Sequence, residues 1–108
     1  MDFKFFNHWI YVTIVSLKQS IKDAFSNLKN STKLGLFSND LSELNPEVFS
    51  SLVNLEELYL GCNKLRHFDL KIMDYIVKVN DINLENNLIE NKSELLDYCK
   101  QSNIKLKF

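Results

Sequence analysis

The stretch LEELYLGCNKL, residues 55–65, combines a strand signal with a turn signal. Leu58 and Leu60 flank Tyr59, and a period of two is the spacing of side chains along one face of a β-strand. Asn63 follows where this short run ends, and asparagine is favoured in turns because its side chain bonds nearby backbone groups. The stretch therefore predicts a short, half-buried strand that leads directly into a turn.

The same pattern recurs with a period of 24 residues, which is the main signal in the sequence. The second half of each unit moves in the same step, with Phe49 followed by Met73 and Leu52 followed by Ile76. Leu44 and Phe68 begin a further apolar column, and Lys92 is its one departure. This self-similarity indicates a solenoid, in which each coil buries its apolar side chains against its neighbours. The matching columns are Leu34, Leu58 and Ile82; Leu36, Leu60 and Leu84; Asn39, Asn63 and Asn87; and Leu41, Leu65 and Ile89.

The unit resembles the leucine-rich repeat family, whose pattern is L-x-x-L-x-L-x-x-N-x-L, in its form of about 24 residues. Residues 55–65 match this pattern at every defined position, and the resemblance covers residues 31–92. It implies an α/β fold: a right-handed solenoid with a parallel β-sheet on the concave face and short helical or 3₁₀ segments on the convex face. It also implies that the solvent-facing strand positions bind a ligand.

The register predicts a single domain over residues 1–108 that is closed by a C-terminal cap at 93–108. In this cap, the run SELLDYCKQS has apolar residues at helical spacing, and Ser93 is its expected N-terminal capping residue. An alternating strand follows, and together they would cover the last coil. The coils are expected at 10–33 (a degenerate first coil), 34–57, 58–81 and 82–92.

Residues 1–17 admit two interpretations. The mostly apolar run FFNHWIYVTIVSL, residues 5–17, is compatible with the apolar part of a secretory signal, although Asn7 and His8 interrupt it. The repeat register instead uses these residues as a first strand, whose open outer edge would permit self-association. The compartment, extracellular or cytoplasmic, is left undecided by the sequence.

Asparagine occurs at 13 positions. We expect the repeated column, which includes Asn63, to satisfy backbone groups in its own and adjacent coils, because an amide both donates and accepts. We expect Asn45 to cap a helical segment that begins at Pro46. Two sequons, at Asn30 and Asn91, are expected by chance in such a chain, and both lie outside the predicted strands.

The solvent-facing strand positions form a candidate site for a protein partner. Gly35 and Gly61 would leave gaps beside large aromatic side chains, which predicts a shallow apolar depression typical of interface hot spots. The alternative is that Phe37 and Tyr59 lie over the glycines as ordinary cross-strand packing. The predicted partner-binding residues are Tyr11, Lys33, Phe37, Glu57, Tyr59, Asp81, Asn83 and Glu85.

A column of charges runs across the strands through Lys33, Glu57, Asp81 and Lys105. One interpretation is a solvated charge ladder that contributes little energy. The other is that Glu57, Asp81 and Glu85 form an acidic patch for a basic partner. We expect no metal site here, because hard cations need more oxygen ligands in tighter convergence.

Other functional classes find no support in the sequence. The 13 basic and 14 acidic residues nearly cancel, so no global field attracts nucleic acid or an anionic membrane, and no apolar run is long enough for a membrane span. No nucleophile and carboxylate set surrounds His67, Cys62 lacks an adjacent base, and no phosphate-binding loop occurs. We also expect Cys62 and Cys99 to be unpaired thiols on different sides of the solenoid. Neither catalysis nor a cofactor is therefore expected.

The leading hypothesis is a non-catalytic module that binds a protein partner through the concave strand face. Two alternatives stay open. One is a structural fragment or oligomerising unit of a larger repeat array, and the other is a regulatory adaptor subunit of an intracellular enzyme.

Overall fold

The computed structural model describes residues 2–6, 9–13 and 25–108, the first two segments as backbone only. Within these residues every strand belongs to one sheet, and the order of strands in the sheet follows the chain. The strands are β1 (Asp2–Phe6), β2 (Trp9–Thr13), β3 (Lys33–Gly35), β4 (Glu57–Tyr59), β5 (Asp81–Asn83) and β6 (Lys105–Lys107). Between them lie 3₁₀ helices at Ser26–Leu28, Pro46–Phe49 and Leu70–Asp74, and one α-helix, α1 (Lys92–Gln101).

Strands β2 to β6 pair in parallel, and the strand of each repeat lies beside the strand of the next repeat. Leu34 on β3 pairs with Leu58 on β4, which in turn pairs with Ile82 on β5. The 24-residue spacing in the sequence is thus also the register of the sheet. Because parallel neighbours need a crossover connection, each coil leaves the sheet, passes through a helical segment and returns. The predicted solenoid, with a parallel sheet on one side and short helical segments on the other, is confirmed.

The interior is formed by the apolar columns that the coils share. Leu34, Leu58 and Ile82 are at most 1% exposed, because alternate residues of each strand face inward. The rings of Phe25 and Phe49 lie 6.3 Å apart on the helical side of the core. One coil alone could not enclose these side chains, so the stability of the fold comes mainly from contacts between neighbouring coils.

The asparagine column connects adjacent coils, as predicted. Asn63 is 6% exposed, and its Oδ1 accepts hydrogen bonds from the backbone N–H groups of Asn39 and Leu41 at 2.9 and 3.0 Å. Its Nδ2 donates to the carbonyl of Leu36 in the preceding coil at 3.0 Å. Asn87 repeats this arrangement one coil later. The column is therefore a structural device that pairs buried backbone groups of the turns.

The predicted cap at Asn45 is confirmed. Asn45 Oδ1 accepts a hydrogen bond from the N–H of Glu47 at 3.1 Å, and Pro46 occupies the first position of the 3₁₀ helix. Proline fits this position because its missing N–H would have no partner there. Asp69 has the same role one coil later, accepting from the N–H of Lys71 at 2.9 Å.

The first residue of α1 differs from the prediction. The helix begins at Lys92, so Ser93 lies inside its first turn, and the predicted capping role of Ser93 is wrong. The residue before the helix, Asn91, binds the preceding coil instead: Oδ1 accepts from the N–H of Phe68 at 3.2 Å and Nδ2 donates to its carbonyl at 3.0 Å. Lys92, the departure from the apolar column, places its Nζ 5.4 Å from the centroid of the Phe108 ring.

Helix α1 and β6 together cover the last coil. Leu95 and Cys99 are 1% and 4% exposed, whereas Leu96 on the same helix is 40% exposed. The N–H of Ile104 donates to the carbonyl of Cys99 at 2.8 Å, and this bond ties the strand that follows to the end of the helix. One face of α1 is thus part of the core.

The N-terminal strands extend the sheet further than the sequence indicates. β2 pairs with β3 in the predicted register, with Ile10 opposite Leu34. β1 pairs antiparallel with β2, with Phe6 opposite Trp9, and no repeat column predicts it. The strand of the first coil, β2, is therefore not an edge strand, because β1 covers it and forms the N-terminal edge of the sheet in its place.

Candidate functional site

The strand register gathers the predicted site on the solvent side of the sheet, which we call the concave face. Tyr11 on β2 pairs with Gly35 on β3, but its side chain lies outside the described residues. The side chains that form the described concave face are Lys33, Phe37, Glu57, Tyr59, Asp81, Asn83, Glu85, Lys105 and Lys107.

Lys33, Glu57 and Tyr59 form a network across β3 and β4. Lys33 Nζ lies 3.2 Å from Glu57 Oε2, and the Tyr59 hydroxyl donates a hydrogen bond to Glu57 Oε1 at 2.6 Å. The hydrogen bond from Tyr59, then the hydrogen bond and charge of Lys33 and the charge of Lys105, hold the pKa of Glu57 below its ordinary value against the opposing effect of burial. Glu57 is thus an ionised carboxylate that is already paired within the protein.

Phe37 and Tyr59 form an aromatic pair on the same face. Their ring centroids lie 6.3 Å apart in an edge-to-face arrangement, a geometry in which the positive edge of one ring meets the negative face of the other. Phe37 is nevertheless 39% exposed. The Tyr59 side chain is held at its hydroxyl by Glu57 and along its ring by Phe37, so it is fixed in position while the pair stays accessible to solvent.

The gap predicted at Gly61 is absent. Gly61 is buried, and a β-carbon at this position would lie 3.4 Å from the carbonyl oxygen of Glu85 and 3.6 Å from Asn83 Oδ1. The next residue, Cys62, donates its N–H to the same carbonyl of Glu85 at 2.9 Å. Both distances are those of ordinary van der Waals contacts, so the next coil already covers this position. Among the described side chains, the apolar part of the concave face is the aromatic pair.

Strand β5 supplies an acidic part of the concave face. Asp81 is partly buried and Glu85 is exposed, and neither makes an ion pair with another described residue. Asn83 lies between them and accepts a hydrogen bond from the N–H of Glu85 at 2.9 Å through Oδ1, which fixes the turn after the strand. Since the charge of Glu57 is matched by Lys33, the acidic charge that faces solvent lies on Asp81 and Glu85.

Outside the concave face, the reactive side chains are dispersed. Cys62 is exposed, Cys99 is buried, and both are free thiols. Burial raises the pKa of the Cys99 thiol. His67 is exposed. Among the residues that the structure describes, no three His, Cys, Asp or Glu side chains converge as metal ligands.

The sequence predicts that Lys33, Glu57 and Tyr59 lie near one another, but it does not predict the contacts between them. The columns place Lys33 beside Glu57 on adjacent strands and Tyr59 two residues further on the same face. They do not reveal which oxygen of Glu57 accepts from which donor. The packing of Gly61 against β5 left no sequence signal, because it depends on the distance between coils.

Comparison with known proteins agrees with this geometry. A family model described as leucine rich repeat matches residues 32–89, which is more than half of the chain. The matched segment includes β3, β4 and β5 and two of the 3₁₀ helices. A search of curated proteins gives no match. In the part of the chain that is described, no helix combines the length and the apolar character needed to cross a membrane.

Leucine-rich repeat domains are in general protein–protein interaction domains, and the family is typically non-catalytic. The repeat spacing, the parallel register of the strands and the match to the family model lead to the same assignment. The chain belongs to the leucine-rich repeat family.

Proposed function

We propose that this chain is a non-catalytic interaction module whose protein partner docks on the concave face, anchored by Phe37 and Tyr59. The observation that carries the proposal is the exposure of Phe37, at 39%, on a ring that is packed edge-to-face against its neighbour. Aromatic side chains bury a large area on binding, and they dominate interface energetics when they lie in a central, desolvated patch.

The fixed position of Tyr59 supports its role as an anchor. Immobilising a flexible side chain on binding costs about 0.5–1.5 kcal/mol. The 2.6 Å bond to Glu57 and the contact with Phe37 restrain this side chain before the partner arrives. When a partner covers the ring, less of the binding free energy is therefore lost in ordering the Tyr59 side chain.

Charge on the neighbouring strands would orient the partner. Asp81 and Glu85 lie beside the aromatic pair in the direction of β6, and the exposed Lys105 and Lys107 follow on β6 itself. A fitting partner presents an apolar side chain to the aromatic pair, a basic group to β5 and an acidic group to β6. Such complementarity contributes mainly to specificity and to the rate of association.

The test is capture of binding proteins from the native source on the immobilised chain. We expect the double variant Phe37→Ala/Tyr59→Ala to bind a specific partner at least about tenfold more weakly, because each truncated anchor costs more than about 1 kcal/mol. The matched control is Val53→Ala/Val77→Ala, which truncates two side chains that are 47% and 70% exposed outside the concave strands. A folded double variant that captures the same proteins as the wild type would refute the proposal.

Self-association is the second candidate function. β1 is one of the two outer strands of the sheet, and a strand edge offers backbone N–H and C=O groups to a second chain. Pairing through β1 would join two copies of the sheet or extend the chain into a longer array. Sedimentation of the protein over a wide range of concentration tests this candidate, and a monomer throughout would reject it.

A further inference from the structure

The chain carries two Asn-x-Ser/Thr sequons, Asn30-Ser31-Thr32 and Asn91-Lys92-Ser93, and the fold treats them differently. Asn30 is exposed in the turn between the first 3₁₀ helix and β3. Its side chain makes no hydrogen bond with another described residue. An acceptor for an N-linked glycan needs a surface loop and an accessible amide nitrogen, and Asn30 has both.

Asn91 differs from Asn30 because its amide is already occupied. It is only partly exposed, and both ends of its amide bind the backbone of Phe68, with Oδ1 accepting at 3.2 Å and Nδ2 donating at 3.0 Å. The sequon that it begins is also the start of α1, and the carbonyl of Asn91 accepts from the N–H of Leu95 at 3.2 Å. A sugar on Nδ2 would have to displace the side chain from the Phe68 backbone that it pairs.

The repeat supplies an internal comparison for Asn30. Asn54 occupies the same column one coil later, and its amide is committed: Nδ2 donates to the carbonyl of Lys29 at 2.8 Å, and Oδ1 accepts from Lys78 Nζ at 3.0 Å. An asparagine in this column is therefore able to bridge two coils. Asn30 has no such bridge among the described residues, so a substituent on its nitrogen breaks no described bond.

We propose that Asn30 is a site of N-linked glycosylation when the chain passes through a secretory pathway, and that Asn91 is not. In the transfer, Asn30 Nδ2 forms a bond to the anomeric carbon of an oligosaccharide carried on a lipid diphosphate. The bond between that carbon and the phosphate oxygen breaks, the lipid diphosphate leaves, and one amide proton passes to a base of the transferase. The glycan then lies on the turn before β3, outside the strands of the concave face. This inference does not depend on the proposed partner binding.

The experiment expresses the full chain behind a cleavable secretion signal in eukaryotic cells. The folded, monomeric fraction is treated with peptide N-glycosidase, which converts a glycosylated Asn to Asp, and mass spectrometry reads both sequons in the same sample. We expect conversion at Asn30 and none at Asn91. Conversion at Asn91 in the folded fraction, or its absence at Asn30, would overturn the proposal.

Two variants remove one sequon each while they keep the asparagine. Thr32→Ala should abolish the glycan, whereas the matched control Ser93→Ala, which alters an exposed residue of α1, should leave it in place. Loss of the glycan in Ser93→Ala with retention in Thr32→Ala would contradict the assignment. Site occupancy in the wild type tests the proposal independently, even if a variant is poorly secreted.

Discussion

The side-chain Nδ2 of Asn63 donates a hydrogen bond at 3.0 Å to the carbonyl oxygen of Leu36, a residue 27 positions earlier in the preceding coil. Its Oδ1 also accepts hydrogen bonds from two backbone N–H groups of that coil. This one side chain therefore pairs three backbone groups of the preceding coil. Buried backbone groups are costly when they are unpaired, so the asparagine column holds the turns in register while the leucine columns fill the interior.

Replacement of Asn63 tests this role. We expect Asn63→Leu, which keeps a similar volume, to lower the free energy of unfolding by about 3 kcal/mol or more, because several buried groups lose their partner at about 1–3 kcal/mol each. Chemical denaturation measures the change. The control Asn80→Ala alters an exposed side chain with no hydrogen bond to a described residue, and it should stay within about 0.5 kcal/mol of the wild type. Equal stability of the two variants would remove the structural role.

The network at Glu57 predicts a dependence of stability on pH. The pKa of Glu57 in the folded state lies below its ordinary value of 4.5. Between these two pKa values, the unfolded chain therefore binds more protons than the folded chain. The ionised carboxylate then stabilises the fold above the unfolded pKa, and this contribution is lost as the pH falls through the folded pKa. Denaturation curves should show wild type and Glu57→Gln converging as the pH is lowered from about 6 to about 3. Parallel profiles would mean that the carboxylate is not stabilised in the fold.

Helix α1 allows a matched pair of truncations. Leu95 is 1% exposed and Leu96 is 40% exposed. We expect Leu95→Ala to cost about 2–5 kcal/mol, because it leaves a cavity in the core, and Leu96→Ala to cost less than about 1 kcal/mol. Thermal or chemical unfolding distinguishes them. Similar losses for both variants would show that the helix does not pack on the last coil as described.

The two thiols should differ in reactivity. Cys62 is exposed, whereas Cys99 is 4% exposed and its burial raises the pKa of its thiol, and only the thiolate is nucleophilic. An aqueous thiol reagent should modify one cysteine in the native protein and the second only upon unfolding. Cys62→Ser should abolish the native reaction. Rapid labelling of two cysteines without denaturant would contradict the buried position of Cys99.

The acidic part of the concave face predicts how partner binding responds to charge. Neutralising Asp81 and Glu85 in Asp81→Asn/Glu85→Gln should weaken binding of the captured partner severalfold at low salt, with a smaller difference at high salt where charges are screened. The control Glu94→Gln/Asp97→Asn makes the same change in net charge on exposed residues of α1 and should leave binding unaffected. Surface plasmon resonance at two ionic strengths measures both. An equal loss in the control would point to net charge and not to the concave face.

The sequence predicts the parallel part of the sheet because it repeats the residues that set the register. Leu34, Leu58 and Ile82 each face the same interior, and the column shared by them is visible as a spacing of 24. β1 is different, since it pairs antiparallel with β2 and has no counterpart in the other coils. A repeat pattern carries no information about a strand that occurs once.

The start of helix α1 and the packing of side chains on the concave face both depend on tertiary contacts. Ser93 and Asn91 are both good capping residues. Asn91 occupies the position before the helix, but its side chain makes no capping bond because it pairs with the backbone of Phe68. The columns also predicted which residues share the concave face. They did not predict that Glu57 is already paired or that Gly61 lies against β5, because these contacts depend on side-chain rotamers and on the distance between coils.

Stacking by one repeat per strand is the premise of the concave face, and scalar couplings across hydrogen bonds measure it most directly. In isotopically labelled protein, the N–H groups of Leu36, Leu60 and Leu84 should couple to the carbonyl carbons of Tyr59, Asn83 and Lys107, whose oxygens they reach at 2.8, 2.8 and 2.7 Å. The same offset in all three pairs would establish the register. Couplings from these amides to carbonyls of their own coil, or at any other offset, would contradict the stacked solenoid and the binding face built on it.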